Sequence, residues 1–305
     1  MQSGALEKPE LEKPEMRSST TLYLLFNFVS AVGIIFVNKM LFSNLPVPFS
    51  YPLALSLLHY IVTYSGLLVL EHLRFFSRQP KPMTPRLWLL AAVVGIAPGL
   101  NNLSLKLNSV GFYTVVKLLV TPMICILEYA FQGKSVSTRR AFTLLLLSIG
   151  VAISSVNDVE LKPAGLTVAS LWLPVAAVYK VLWSREQKEE GWGTLPLMMK
   201  VLPYSMLFML AMMFLSIDPP GILSYPFNSV SVGLLCLSGA GAFCVNFSGF
   251  LVLGACQPLT HVVLGQVKSA SLILGAAFST QVPSLKALIG ACIAVLGSTL
   301  YAMVQ

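Results

Sequence analysis

From Thr21 onward the chain alternates long apolar runs with short polar breaks, and few of the runs show the polar face of a half-buried helix. A helix rises about 1.5 Å per residue, so about 20 apolar residues cross the hydrocarbon of a bilayer. The pattern predicts ten such spans, at Thr21–Phe42, Tyr51–His72, Arg86–Leu105, Ser109–Phe131, Arg140–Val156, Leu166–Trp183, Leu195–Ile217, Val230–Leu253, Gln257–Ser279 and Ser284–Met303. Pro98-Gly99 interrupts the third, and the fifth is short. The expected fold class is an all-α polytopic membrane protein with ten transmembrane helices.

Composition agrees. Of 305 residues, 56% are hydrophobic and 10% charged, where soluble domains carry about 25% charge. The net charge of +8 comes without a basic patch interleaved with aromatics, so the expected partner is the lipid bilayer and not nucleic acid. Its distribution is informative. Arg74, Arg78, Lys81 and Arg86, then Lys134, Arg139 and Arg140, then Arg185 and Lys188 follow even-numbered spans, whereas Lys106, Lys162 and Lys286 follow odd-numbered ones. With Lys8, Lys13 and Arg17 ahead of the first span, the positive-inside rule places both termini in the cytosol. Residues 1–20, with EKPELEKPEMR, read as a disordered cytosolic tail, and residues 21–305 as the membrane domain.

The halves echo each other. TRRAFTLLLLSIGVAIS after the fourth span parallels SLKALIGACIAVLGSTL after the ninth, and aligning Gly150 with Gly297 sets Arg139 on Lys286. Five spans per half is an odd number, so the second copy inserts upside down. Two inverted five-helix repeats, about 21–156 and 162–305, are a transporter architecture with a site near the bilayer midplane.

Two of the spans carry a lysine within the apolar run: Lys268 near the middle of Gln257–Ser279, and Lys117 in Ser109–Phe131. A lysine at the centre of a spanning helix costs about 3 kcal/mol. The acids in or near spans are Glu71 and Glu128, both toward cytosolic ends, and Glu128 lies three turns, about 16 Å, beyond Lys117. Two intramembrane lysines in a chain with few acids to neutralise them point to an anionic ligand, and phosphate oxygens suit an ammonium point charge.

Other polar residues gather nearby. Tyr113 and Thr121 share a helical face with Lys117, while His261 and Gly265 share one with Lys268, flanked by Gln266 and Ser269. Asn101 and Asn246 put amides inside apolar runs, where an unpaired amide costs several kcal/mol and so faces the bundle interior. Lys39 lies near the lumenal end of the first span, at an interface or within reach of a ligand. Lys180 and Lys200 read as positive-inside residues flanking a cytosolic loop, with attraction of an anionic substrate from the cytosol as the alternative; Tyr113, Tyr179 and Tyr204 are candidates for holding a nucleobase.

The five cysteines have no metal or disulfide spacing and read as small hydrophobes. No DDxxD, HExxH, GxSxG or Walker motif occurs, and no carboxylate pair lies within the membrane. No enzyme activity, metal or cofactor is expected.

The opening FVNKMLF, GFYTVVKLLVTPMICILEY and VNFSGFLVLGACQPLTHVVLGQVKS resemble the nucleotide-sugar transporter and triose-phosphate translocator family of the drug/metabolite transporter superfamily. The likeness covers nearly the whole chain after the tail, most specifically QPLTH leading to Lys268. It implies ten spans in two inverted halves and obligate exchange of phosphorylated solutes. It also implies that Lys268 and Lys117 bind phosphate, with Asn101 and Asn246 at family positions. Ser269 follows Lys268 where plastid phosphate translocators carry arginine, and Val245 stands where they carry tyrosine. That favours the UDP-sugar branch: exchange of a cytosolic nucleotide-sugar for a lumenal nucleoside monophosphate in the Golgi or ER membrane. Exchange of sugar phosphate or triose phosphate for phosphate in a plastid envelope is the alternative, and a non-transporting scaffold a third. The resemblance leaves room for a homodimer.

Overall fold

The computed structural model describes residues 14–43, 45–108, 116–155, 163–215, 222, 224–255, 263–265, 267 and 285–304. Nine long helices lie among them: α1 (Pro14–Ser43), α2 (Pro52–His72), α3 (Pro85–Leu107), α4 (Val120–Gln132), α5 (Thr138–Ser155), α6 (Pro163–Lys188), α7 (Thr194–Leu215), α8 (Ser229–Ala255) and α9 (Leu285–Val304). No strand occurs among the described residues. By length and composition α2, α6, α7 and α8 can each cross a membrane, while α1, α3 and α9 hold shorter apolar stretches at Leu22–Asn38, Pro85–Asn101 and Leu288–Tyr301. The protein is therefore a polytopic helical membrane protein. The ninth sequence-predicted span lies outside the described residues except at 263–265 and 267, which are helical.

Two boundaries differ from the sequence expectation. Helix α1 starts at Pro14, inside the stretch read as a disordered tail; proline suits the first helical position. The fourth span is not one uninterrupted helix: a turn at Leu119 separates helical residues 116–118 from α4. Pro122 explains the break, because it has no N–H to give the Leu118 carbonyl and its ring crowds that carbonyl. Elsewhere the termini follow their residues. Pro85 begins α3 under a Thr84 cap whose hydroxyl accepts from the Leu87 N–H at 3.2 Å, and Gly133 ends α4 at φ 63°.

The helices associate in a definite pattern: α5 with α9, α1 with α8, α3 with α6 and α7, α2 with α7 and α8, and α4 with α6. The α5–α9 contact is backbone to backbone. A Cβ on Gly150 would stand 2.3 Å from the Ala294 nitrogen, and one on Gly297 would stand 2.6 Å from the Leu147 nitrogen. Small residues do the same work elsewhere: a Cβ on Gly95 would meet the Ser205 carbonyl oxygen at 2.4 Å, and one on Gly239 would meet Val62 at 3.0 Å. Close approach is how helices gain contact energy where lipid is as apolar as the side chains.

The two ends of the bundle differ in chemistry. At one end the α2–α3 and α6–α7 connections are clamped by Gln79 donating to Gly191 and accepting from Gly193, and by Arg86 on Glu190 at 2.9 Å. Lys134, after α4, belongs to this end, since Glu128 feels the charges of both Lys134 and Lys188. At the other end Phe49, Tyr51, Tyr225 and Phe227 pack edge to face, and the Tyr225 hydroxyl donates to the Val47 carbonyl at 2.8 Å. Basic residues crowd one rim and aromatics the other, as the loop asymmetry in the sequence anticipates.

Candidate functional site

Helices α1, α2 and α8 meet along a polar seam. The Asn27 amide on α1 donates to the Val245 carbonyl at 3.0 Å and to the Ser248 hydroxyl at 2.9 Å. Asn246, also on α8, donates to the Thr63 hydroxyl of α2 at 3.0 Å, and Thr63 passes its own proton to the His59 carbonyl at 2.7 Å. Further along, the Ser238 hydroxyl donates to Asn38 at 2.5 Å, so the His59 Nε2–H donates to Ser238 at 2.8 Å. Asn27, Asn38 and Asn246 thus each meet a partner on another helix, which offsets the cost of burying them.

A cavity of about 190 Å³ opens beside this seam, lined by Asn27, Tyr179, Val245, Asn246, Gly249, Phe250 and Leu253. Its walls come from α1, α6 and α8. Two amides, a phenol and an aromatic face suit a ligand with hydroxyls and a planar ring. Lys180, next to Tyr179 on α6, places its Nζ 4.5 Å from the centre of the Tyr179 ring and 3.4 Å from the Ala176 carbonyl oxygen.

Lys117, in the short helical stretch 116–118 ahead of α4, is exposed, and its charge acts on Lys180. Its neighbours Val116 and Leu118 are buried. Thr121, one turn on, is buried at 4% exposure. Asn101 is half-buried on α3. Lys39 lies on α1, four residues before its last residue, and its side chain is outside the described set. Tyr113, His261, Gln266, Lys268 and Ser269 also lie outside the described residues.

Of the tyrosines proposed to hold a base, Tyr179 lines the cavity, whereas Tyr204 packs on Trp88 at 4.7 Å between α3 and α7. Lys200 is half-buried near the start of α7. Sequence reasoning missed Asn27, Thr63, His59 and Ser238 as parts of the seam. The signal for Asn27 was present: it is an amide in an apolar run, like Asn246. Thr63 and Ser238 carry no such signal, because isolated hydroxyls in spans usually bond their own helix.

Several acids at the basic end of the bundle pair with arginines. Glu71 pairs with Arg78, Arg86 holds Glu186 at 3.7 Å as well as Glu190, and Glu189 pairs with Arg185. Among the described residues no group of three or more His, Cys, Asp or Glu could hold a metal ion.

A helical bundle with a polar, cation-flanked cavity defines a membrane transporter. Residues 18–302 match the model of the Triose-phosphate Transporter family, and the chain belongs to that family. It is 38% identical over 286 residues to Nucleotide-sugar uncharacterized transporter 1 of Arabidopsis thaliana, covering 92% of this chain and 72% of that protein. It is 33% identical over 298 residues to UDP-xylose transporter 1 of the same plant, covering 95% and 85%. A solved crystal structure aligns over 94% of this chain and 97% of its own with a TM-score of 0.70 at 15% identity, a likeness of fold alone. The family and these relatives are transporters, not enzymes.

Proposed function

We propose that the chain is a UDP-sugar antiporter, exchanging a cytosolic UDP-sugar for lumenal UMP by alternating access in a Golgi or ER membrane. The cavity carries the reading: in an apolar bundle it is walled by Asn27, Tyr179 and Asn246, with the Lys180 amine over the Tyr179 ring. The relatives' names supply the substrate class. Lys117 and, from the sequence, Lys268 bind the phosphates; Asn246, Asn101, Thr121, Tyr113, His261, Gln266, Ser269 and Lys39 are the accompanying contacts. The basic rim is the cytosolic one.

The helix pairings favour two inverted five-helix repeats. If each span corresponds to the one five places later, α5 with α9 is a self-pair, α1 with α8 corresponds to α6 with α3, and α3 with α7 corresponds to α8 with α2. Gly150 against Ala294 and Leu147 against Gly297 are likewise exchanged by that operation. A cavity of about 190 Å³ is smaller than the roughly 300–1,000 Å³ of small-molecule sites, so the loaded state opens it further. An emptied site loses the counter-charge that cargo phosphate gives its lysines, which opposes closure, ties the conformational change to cargo and favours exchange over leak.

The test is uptake of labelled UDP-xylose into proteoliposomes preloaded with UMP, with inorganic phosphate, or with buffer. UMP should stimulate uptake strongly and phosphate should not. Stimulation by phosphate alone would establish a sugar-phosphate translocator instead, and no saturable uptake under any loading would mean a non-transporting protein.

A further inference from the structure

Lys180 does not sit where a loop-flanking lysine should. Helix α6 continues to Lys188, so Lys180 lies eight residues, about 12 Å, inside that end. Its neighbours in sequence, Ala176, Ala177, Val181 and Trp183, are all buried at 6% exposure or less. The basic cluster that marks the rim begins only at Arg185. Snorkelling to the interface would require the amine to run along the helix toward Lys188. Instead it lies within reach of the Ala176 carbonyl, one turn back from Lys180 and away from the rim.

Its partners do not neutralise it. The carbonyl contact at 3.4 Å is at the long limit of a hydrogen bond, and the Tyr179 ring at 4.5 Å offers only a quadrupole. An ammonium has three donors, and among the described residues no carboxylate pairs with Lys180. The charge nearest in effect is another cation, Lys117. Tyr179, under the Lys180 amine, is also a wall of the cavity that holds Asn27 and Asn246.

We propose that Lys180 is a phosphate-binding residue of the transport site, acting with Lys117 ahead of α4, with the rest of the ligand passing over Tyr179 toward the amides. This deepens the antiporter reading and rests on it for the identity of the ligand, though not for its phosphate. The site then holds a cation on the same helix as Tyr179. It suits a ligand carrying at least two negative charges, as both a nucleoside diphosphate sugar and a nucleoside monophosphate do.

The experiment compares the purified full chain with Lys180→Met and Lys180→Arg by thermal unfolding, alone and titrated with UDP-xylose, UMP and inorganic phosphate. Lys180→Met should melt at or above wild type without ligand, since an unneutralised cation has gone. It should lose about tenfold or more in affinity for whichever of these ligands stabilises wild type. Lys180→Arg should stay within about threefold of wild type, because the charge remains. Unchanged affinity in Lys180→Met overturns the assignment, and so does a Met variant that melts below wild type, the mark of a structural lysine. If phosphate stabilises wild type while UDP-xylose and UMP do not, the UDP-sugar reading fails and Lys180 is judged on phosphate. If none of the three shifts wild type, both fall.

Discussion

Gly150→Ala offers a quantitative test of the α5–α9 contact. A methyl there would lie 2.3 Å from the Ala294 nitrogen and 2.7 Å from the Gly290 carbonyl oxygen, against 3.4–4 Å for ordinary contact. Both obstacles are backbone, so no side chain can swing aside, and the helices must part by about 1 Å locally. Overpacking of this kind costs about 1–3 kcal/mol. The replacement itself helps the helix by about 0.5–1 kcal/mol, since glycine is the costlier residue there. The clash wins by about 1–2 kcal/mol, a drop of several degrees in melting temperature. Gly297→Ala meets the Leu147 nitrogen at 2.6 Å and should behave alike. Once either methyl has parted the helices the other fits more easily, so the double variant should fall short of the sum by at least about 0.5 kcal/mol. Gly233→Ala is the control, because nothing lies within 4 Å of its Cβ position; it should melt at or above wild type. Melting in detergent, followed by fluorescence, reads all four proteins. Gly150→Ala melting with the control, or strict additivity in the double variant, would refute the interpenetrating contact.

Removing the amide in Asn246→Ala breaks the bond to Thr63 and strips a polar wall from the cavity; initial exchange at low UDP-xylose should fall about five- to tenfold, while the loss of one bond costs about 1 kcal/mol of stability. Tyr179→Phe keeps the aromatic wall and should transport normally, whereas Tyr179→Ala should weaken UDP-xylose binding about fivefold or more, read as a raised KM. Arg86→Ala leaves Glu186, 3% exposed at its side chain, without its nearest cation. The variant should lose about 1–2 kcal/mol, less than a fully buried pair because Arg86 itself is 37% exposed, and Arg86→Ala with Glu186→Gln should recover part of that melting temperature.

Much of the fold is legible in the sequence because bilayer thickness dictates the length of each apolar run. Helices α2, α3, α5, α6, α7 and α8 start or end within a few residues of the spans read from hydropathy, and Lys/Arg placement anticipates the basic rim. Single-residue chemistry carries further at Asn246, where the cost of a lone amide forecasts an interhelical partner. Legibility stops where geometry between helices decides. Lys180 lies three residues before the apparent end of an apolar run at Trp183, so it resembles a flank; only the continuation of α6 to Lys188 puts it deeper. Pro122 sits inside an apolar stretch that reads as a single span, and hydropathy is blind to the break it imposes beyond Lys117. Thr63 and Ser238 acquire meaning only from Asn246 and His59 on facing helices.

The claim on which the account turns is that cargo phosphate supplies the counter-charge for lysines held within the membrane. Exchange of labelled UMP for UDP-xylose by Lys268→Ala in proteoliposomes tests it most directly, with the variant's melting temperature recorded alongside. The account predicts a folded protein whose exchange is lost; a folded variant that exchanges at the wild-type rate would contradict it.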